Sequence, residues 1–360
     1  MIRLQPRTEP SQIMTYLSPV FAVGLTIISS MVLFSFMGFD PWKSSYLFFV
    51  EPLTTVYGLG ELAIKATPLI LIALGLAIGF RANVWNIGAE GQLIMGAIVG
   101  GGLALWFYES ESIWLLPTMI IFGAIGGALW ASIPALLRTH FNTNEILTSL
   151  MMSYVAILLL NFLVNGPYQD PSGYNFPESR MFSDAALLPI IFDGTRMNIG
   201  APLTLIILAT IWILMSRTLI GFQLRVVGQA PDAARYAGFN QKKMIWFVFL
   251  LAGGLAGIAG LMEVAGPIGQ ILPSISPGYG FTAIIVAFLG RLHPVGVLFA
   301  GLVIALSYLG GESVQIELGL PVAITGVLQG LLLFYLLASD LLIRYRIQFT
   351  FGAYASRGEA

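Results

Sequence analysis

Long apolar blocks alternate with short polar punctuation along almost the whole chain. Ten such blocks stand out, near residues 16–37, 63–80, 92–107, 114–137, 146–164, 202–216, 245–264, 279–290, 295–310 and 321–343. A straight helix needs roughly 20 apolar residues to cross the hydrocarbon core of a bilayer. Several blocks are shorter, so the pattern predicts tilted, broken or partly re-entrant helices, whose irregular backbone must be covered by protein or face a water-filled cavity. The expected fold is an all-α polytopic membrane protein with about ten transmembrane helices, some of them broken. It forms one transmembrane domain over residues 1–360: a first half to about 165, an outer loop at about 166–200 and a second half at about 201–346. The block at 16–37 follows Arg3 and Arg7 but is too long for a signal peptide, and no small-residue cleavage pattern precedes Phe39-Asp40-Pro41, so it is read as the first span.

Composition agrees with this pattern. Hydrophobic residues make up 57% of the 360 positions and charged residues only 10%, against about a quarter charged in a soluble domain. Mean hydropathy is +0.85. The distribution of charge says more than the net charge of −1. With a cytoplasmic N-terminus and ten crossings, 13 of the 17 Lys and Arg residues fall inside, and only Lys43, Lys65, Arg180 and Arg196 fall on or near the outer side. This is the positive-inside bias of an inserted protein. Both termini are then cytoplasmic, and the outer face is acidic. The outer loop, rich in Pro, Gly, Asp and Ser, reads either as a solvated linker between the halves or as a contact surface for a soluble partner.

Glycine pairs four residues apart, Gly75 with Gly79, Gly96 with Gly100, Gly253 with Gly257 and Gly326 with Gly330, predict closely approaching helix backbones. Two polar interruptions differ from ordinary loops. The first, Phe80 to Gln92, interleaves Val84, Trp85, Ile87 and Ala89 with Asn86, Glu90 and Gln92, and Gly88 and Gly91 permit an unwound backbone. Glu90 is either a residue of the solute pathway or a first-turn acid favoured by the helix dipole. The second runs through Gly266-Pro267-Ile268-Gly269-Gln270 and Ser274 to Thr282, where Tyr279 and Thr282 offer hydroxyls to a solute or serve as packed helix-start residues. Two Gly/Pro-broken segments in corresponding halves are the mark of an internal structural repeat with a binding site between the repeats.

Between two apolar blocks, Gly221 to Lys243 carries Arg225, Arg235, Lys242 and Lys243 against the single acid Asp232. Pro231 at a first helical position, Asp232 at the positive end of the dipole and Gly238 as a left-handed stop predict a helix of about two turns, within about 229–239. Ala230 is a poor N-cap. Such a helix is too short to persist alone. Charge alone reads this stretch as a basic cytoplasmic loop.

The stretch resembles the coupling helix of the permease subunits of bacterial ABC importers for nucleosides, simple sugars and branched-chain amino acids. The run Asn86-Ile87-Gly88-Ala89-Glu90-Gly91-Gln92 resembles the signature of the nucleoside and simple-sugar group, and the likeness extends through Thr143-Asn144-Glu145-Ile146 and Gly290-Arg291-Leu292-His293-Pro294. The resemblance implies a subunit of a cell inner membrane, without a cofactor of its own. Its implied partners are ABC ATPase subunits that bind ATP and Mg, a second permease subunit, an extracytoplasmic binding protein and the lipid bilayer, with no nucleic acid. It also implies ATPase coupling at Gly228, Pro231, Asp232, Arg235 and Gly238, and a pathway near Asn86, Glu90, Gln92, Tyr279 and Thr282. The implied substrates are nucleosides first, then simple sugars, then amino acids.

Enzyme chemistry has little support in these residues. No glycine is followed by lysine, so there is no P-loop. The two histidines, His140 and His293, sit in no H-E-x-x-H pattern, and the absence of cysteine excludes thiolate chemistry. A competing reading is an ion-coupled secondary transporter using Glu90, Glu263, Lys65 and Arg81. It gives the helix near 231–238 no purpose.

Overall fold

The computed structural model describes residues 2–6, 12–321 and 323–349. Arg7 and Arg357, two of the basic residues expected on the inner side, lie outside them. Among the described residues there are thirteen α-helices, all but α2, α8 and α9 on the apolar blocks: α1 (Gln12–Phe36), α2 (Pro41–Phe49), α3 (Val56–Arg81), α4 (Ala89–Trp106), α5 (Leu115–Phe141), α6 (Glu145–Val164), α7 (Gly200–Arg217), α8 (Leu219–Gln229), α9 (Pro231–Tyr236), α10 (Gln241–Glu263), α11 (Tyr279–Leu289), α12 (Pro294–Leu318) and α13 (Ala323–Arg344). Among the described residues eight helices are long and apolar enough to span a membrane, and α11 and the Ala323–Ser339 part of α13 are shorter apolar helices. All ten apolar blocks therefore become helices. The strands β1 (Ile2–Pro6) and β2 (Tyr345–Phe349) pair antiparallel, Ile2 opposite Phe349, an element that hydropathy does not predict.

Helix starts are set by local chemistry. Asp40, Thr55, Asn144, Thr218 and Asn240 each turn a side-chain oxygen onto first-turn N–H groups that have no intrahelical acceptor. The α5–α6 turn is closed by an ion pair between Arg138 and Glu145.

The chain divides into two compact units, Met1–Val50 with Gly310–Ala360, and Glu51–Leu309. In the first, α1 packs on α13 and α2, and Phe34, Phe48, Val314, Leu320, Ile324 and Leu328 form its apolar centre. In the second, α3 is the central helix, with 83% of its apolar window buried, followed by α4 at 67% and α10 at 61%. Against these, α6 and α7 leave Leu158, Phe162 and Ile206 outward, as lipid-facing helices do. α10 crosses α3, α4 and α5, while α11 packs on α3. Gly257 makes this crossing possible: a Cβ there would overlap the Gly123 backbone. At Gly326 and Gly330 no atom lies within 4 Å of an added Cβ, so the close approach predicted for that pair is not formed among the described residues.

Candidate functional site: two broken helices and the element that bears on them

The first interruption begins where α3 unwinds. Asn83 turns left-handed at φ 55°, and Phe80 and Trp85, tilted against each other, both stack on Phe288, at centroid separations of 5.0 Å to 6.1 Å, tying this link to the end of α11. Asn86 and Gln92, each 1% exposed, exchange two hydrogen bonds: Asn86 Nδ2 donates to Gln92 Oε1 at 2.9 Å and Gln92 Nε2 donates to Asn86 Oδ1 at 3.1 Å. Asn86 Oδ1 also accepts from Gly88 N–H at 3.0 Å. Two serines of α6 serve the backbone of this link and of α4, Ser149 Oγ accepting from Ile87 N–H at 3.0 Å and Ser153 Oγ from Gly91 N–H at 3.3 Å. The unwound segment is thus satisfied by protein, the condition under which irregular backbone survives away from water.

The second interruption starts with a π-turn over Val264–Ile268, at Pro267, and a left-handed Gly269. The loop at 166–200, expected on the outer side, lies against it. Ser179 and Ile271 exchange hydrogen bonds, Phe182 N–H donates to Gly269 O at 2.8 Å, and Leu188 N–H donates to Ala265 O at 2.8 Å. Asp170 in that loop is held below the usual carboxylate range by Ser172, through its backbone N–H and then its hydroxyl, with Arg180 adding to this. Further on, Ser276 Oγ accepts from Gly278 and Tyr279 N–H at 3.1 Å and 2.9 Å. Asn86 with Gly88 and Ser276 with Gly278 are the same device: a short polar side chain two residues before a glycine, closing the turn that starts a helix one residue later.

Glu90 joins the two interruptions. Its side chain, on a residue 4% exposed, accepts from Gly280 N–H at 2.6 Å, with the Ser276 hydroxyl close by. The Glu90 carboxyl group therefore lies at the N-termini of both α4 and α11, where it accepts from a first-turn N–H of α11 that has no intrahelical partner. Gly280 is required for this approach, since a Cβ there would meet the Glu90 backbone. Tyr279, 2% exposed, meets the Tyr308 ring edge-on at 5.5 Å, and Thr282, 8% exposed, pairs its hydroxyl with Tyr308 OH at 2.9 Å. Tyr308 lies inside an apolar block that gives it no signal. Glu263 has a different neighbourhood, lining a cavity of about 10 Å³ with Thr67, Asn198 and Pro267. Lys65 and Glu263 both have interaction partners.

The basic stretch forms α8, α9 and the start of α10. α8 ends on the first interruption: a Cβ at Gly228 would overlap the Arg81 and Ala82 backbone, where α3 gives way to the link. α9 runs from Pro231 to Tyr236, Ala230 provides no side-chain cap, and Gly238 turns left-handed at φ 77°. Asp232 and Arg235 are exposed, whereas Ala234 is 2% exposed and holds α9 in place. Tyr236, absent from the residues singled out by sequence, is 97% exposed.

Apolar spans, broken helices whose polar backbone is enclosed by protein, and an exposed short helix between two spans define a multi-pass membrane permease. The family described as the branched-chain amino acid transport system permease component matches residues 58–337. Among similar proteins, one described as a glucose ABC transporter permease of Haloferax volcanii is 38% identical, covering 97% of this chain and 94% of its own. A guanosine ABC transporter permease of Bacillus subtilis is 31% identical over 84% of this chain and 86% of its own. A nucleoside ABC transporter permease of Lactococcus lactis is 27% identical over 89% and 90%. The chain belongs to this family, and it is the permease component of an ATP-binding cassette transporter.

Proposed function

We propose that the chain forms the translocation pathway of an importer for neutral, hydroxyl-bearing solutes, nucleosides or simple sugars. An extracytoplasmic binding protein delivers the solute, a second permease subunit completes the pathway, and ATPase subunits on the cytoplasmic side, where both termini lie, drive it. The names of the relatives support this substrate class. So does the occupied position at the paired helix ends, where the Glu90 side chain takes a hydrogen bond from the start of α11 that broken helices elsewhere offer to an anionic solute. In the conformation described here Asn86, Gln92, Tyr279 and Thr282 are paired with each other or with Tyr308, so their role is to shape the pathway wall around the break.

One observation carries the mechanism: the element bearing α9 abuts the end of α3 through Gly228. Pro231 and Gly238 set the ends of α9, and Asp232 and Arg235 orient it on the ATPase. Closure of the ATPase pair on ATP moves α9, and rigid contact passes the displacement to Arg81 and Ala82, to the link and, through Glu90, to α11. Access then switches between two packings of the same helices, a population shift driven by nucleotide. The chain supplies positioning and no bond-making.

Reconstitution into vesicles with the ATPase subunit and the binding protein tests this. Uptake of labelled guanosine or glucose is expected only with ATP present. Uptake that follows a proton or sodium gradient and needs no ATPase subunit overturns the reading in favour of an ion-coupled carrier.

A further inference from the structure

α9 leaves much of its surface uncovered. Of its six residues only Ala234 is buried, and Tyr236 projects at 97% exposure. Alongside it, between the end of α8 and the start of α10, lies a cavity of about 260 Å³. Val227, Ala234 and Phe239 give it apolar walls, and Arg235 and Lys242 bring two positive charges to its rim. From Arg217 to Lys243 there are five basic residues and one acid, Asp232. A rigid, almost fully exposed aromatic beside a cationic recess is the composition of an interface hot spot, where Tyr and Arg supply most of the binding energy and complementary charge sets partner choice.

We propose that the ATPase subunit is gripped in both directions here: Tyr236 enters a recess on the ATPase, and an acidic side chain of the ATPase enters the cavity between Arg235 and Lys242. The inference rests on the reading of α9 as the ATPase docking element and adds which side chains carry the contact. Charge complementarity selects the occupant, since a recess with two cations and no acid at its rim accepts a carboxylate and rejects a basic side chain. The apolar walls fit the methylenes behind that carboxylate. α9 is also held rigid, with Pro231 at its start and Phe239 N–H closing onto Ala234 O at 2.9 Å at its end. A preformed knob of this kind loses little entropy on docking.

The test measures binding of the ATPase subunit that supports uptake to the full chain in zwitterionic nanodiscs. Tyr236→Ala is expected to weaken binding about 30-fold. Lys242→Glu should weaken it at least about tenfold, with recovery when the matching ATPase acid is changed to lysine. Lys243→Glu, whose side chain does not line the cavity, should stay within about twofold of wild type. All three positions are exposed, so folding is preserved. Replacing residues 231–236 by a Gly/Ser segment separates the two levels of the argument. If that replacement abolishes binding while Tyr236→Ala and Lys242→Glu bind like wild type, the knob and the acid-accepting cavity are overturned and docking at α9 stands. If the replacement binds like wild type, docking at α9 itself falls. If Lys242→Glu keeps full ATPase binding and loses only adhesion to phosphatidylglycerol vesicles, the cavity is a lipid-headgroup site and the inference is wrong.

Discussion

Glu90 brings a carboxyl group to a place 4% exposed, and the 2.6 Å bond from Gly280 N–H gives it a partner there. Removing the acceptor leaves a buried N–H unsatisfied, at a cost of about 1–3 kcal/mol. Glu90→Ala is therefore expected to lower the thermal unfolding temperature in detergent, and Glu90→Gln, which keeps a carbonyl oxygen for Gly280, should recover most of the loss. Equal loss in both variants would show that charge, and not the hydrogen bond, is what matters there. His293 gives a pH dependence. It lies in the turn before α12, where burial of part of the ring and then the nearby charge of Arg81 push its pKa below the ordinary 6.5. The fold thus favours the neutral ring: this contribution to stability is fully present above pH 6.5 and is lost as pH falls through the lowered value. His293→Asn should flatten the acid side of a stability-versus-pH curve measured by differential scanning fluorimetry. An unchanged slope would remove His293 as the cause. Asn86, Glu90 and Gln92 stand out in sequence because polar groups are rare between apolar blocks. Their partners do not, because Ser149 is 62 residues from Ile87 and Gly280 is 190 residues from Glu90.

Among the elements, α8 and α9 act as one piece against the end of α3. Gly228 is the point of contact, and its lack of a side chain lets the α8 backbone seat on Arg81 and Ala82. Gly228→Val forces these segments apart while leaving the exposed face of α9 unchanged. The expected outcome is a complex that still binds its ATPase and hydrolyses ATP, with uptake reduced tenfold or more, about 1.4 kcal/mol of lost coupling. Wild-type uptake per ATP by this variant would show that force does not travel through that contact. α9 itself is legible in advance, because a proline, an acid and a glycine at those positions specify where a short helix starts and stops. The seat of α8 is not: the resemblance singles out Gly228 for ATPase coupling, but nothing local shows that it meets the backbone of Arg81 and Ala82. The outer loop is a similar case: its composition allows a linker or a contact surface, whereas its backbone bonds to Ala265, Gly269 and Ile271 hold it against the second interruption.

For the molecule as a whole, packing of the second unit depends on backbones brought together at glycine. Gly257→Val would drive a side chain into the Gly123 and Gly127 backbones, and overpacking of this kind costs about 1–3 kcal/mol or more. Gly330→Ala, with open space around it, should stay within about 0.5 kcal/mol of wild type. Size-exclusion profiles and unfolding temperatures compared between the two variants check this, and similar behaviour in both would contradict the packing described. Sequence alone determined the class, the ten apolar helices, the two breaks and a short helix within about 229–239, which the structure narrows to Pro231–Tyr236. Each of these follows from interactions between residues close along the chain: hydropathy summed over a window, a cap on its own first turn, a proline or glycine acting on its own backbone. Tertiary structure alone decided that Glu90 spans both breaks, that α8 seats on α3 and that Tyr236 stands free. Those facts depend on which distant segments meet, and in a chain where nearly every span is apolar, hydropathy does not distinguish one helix partner from another.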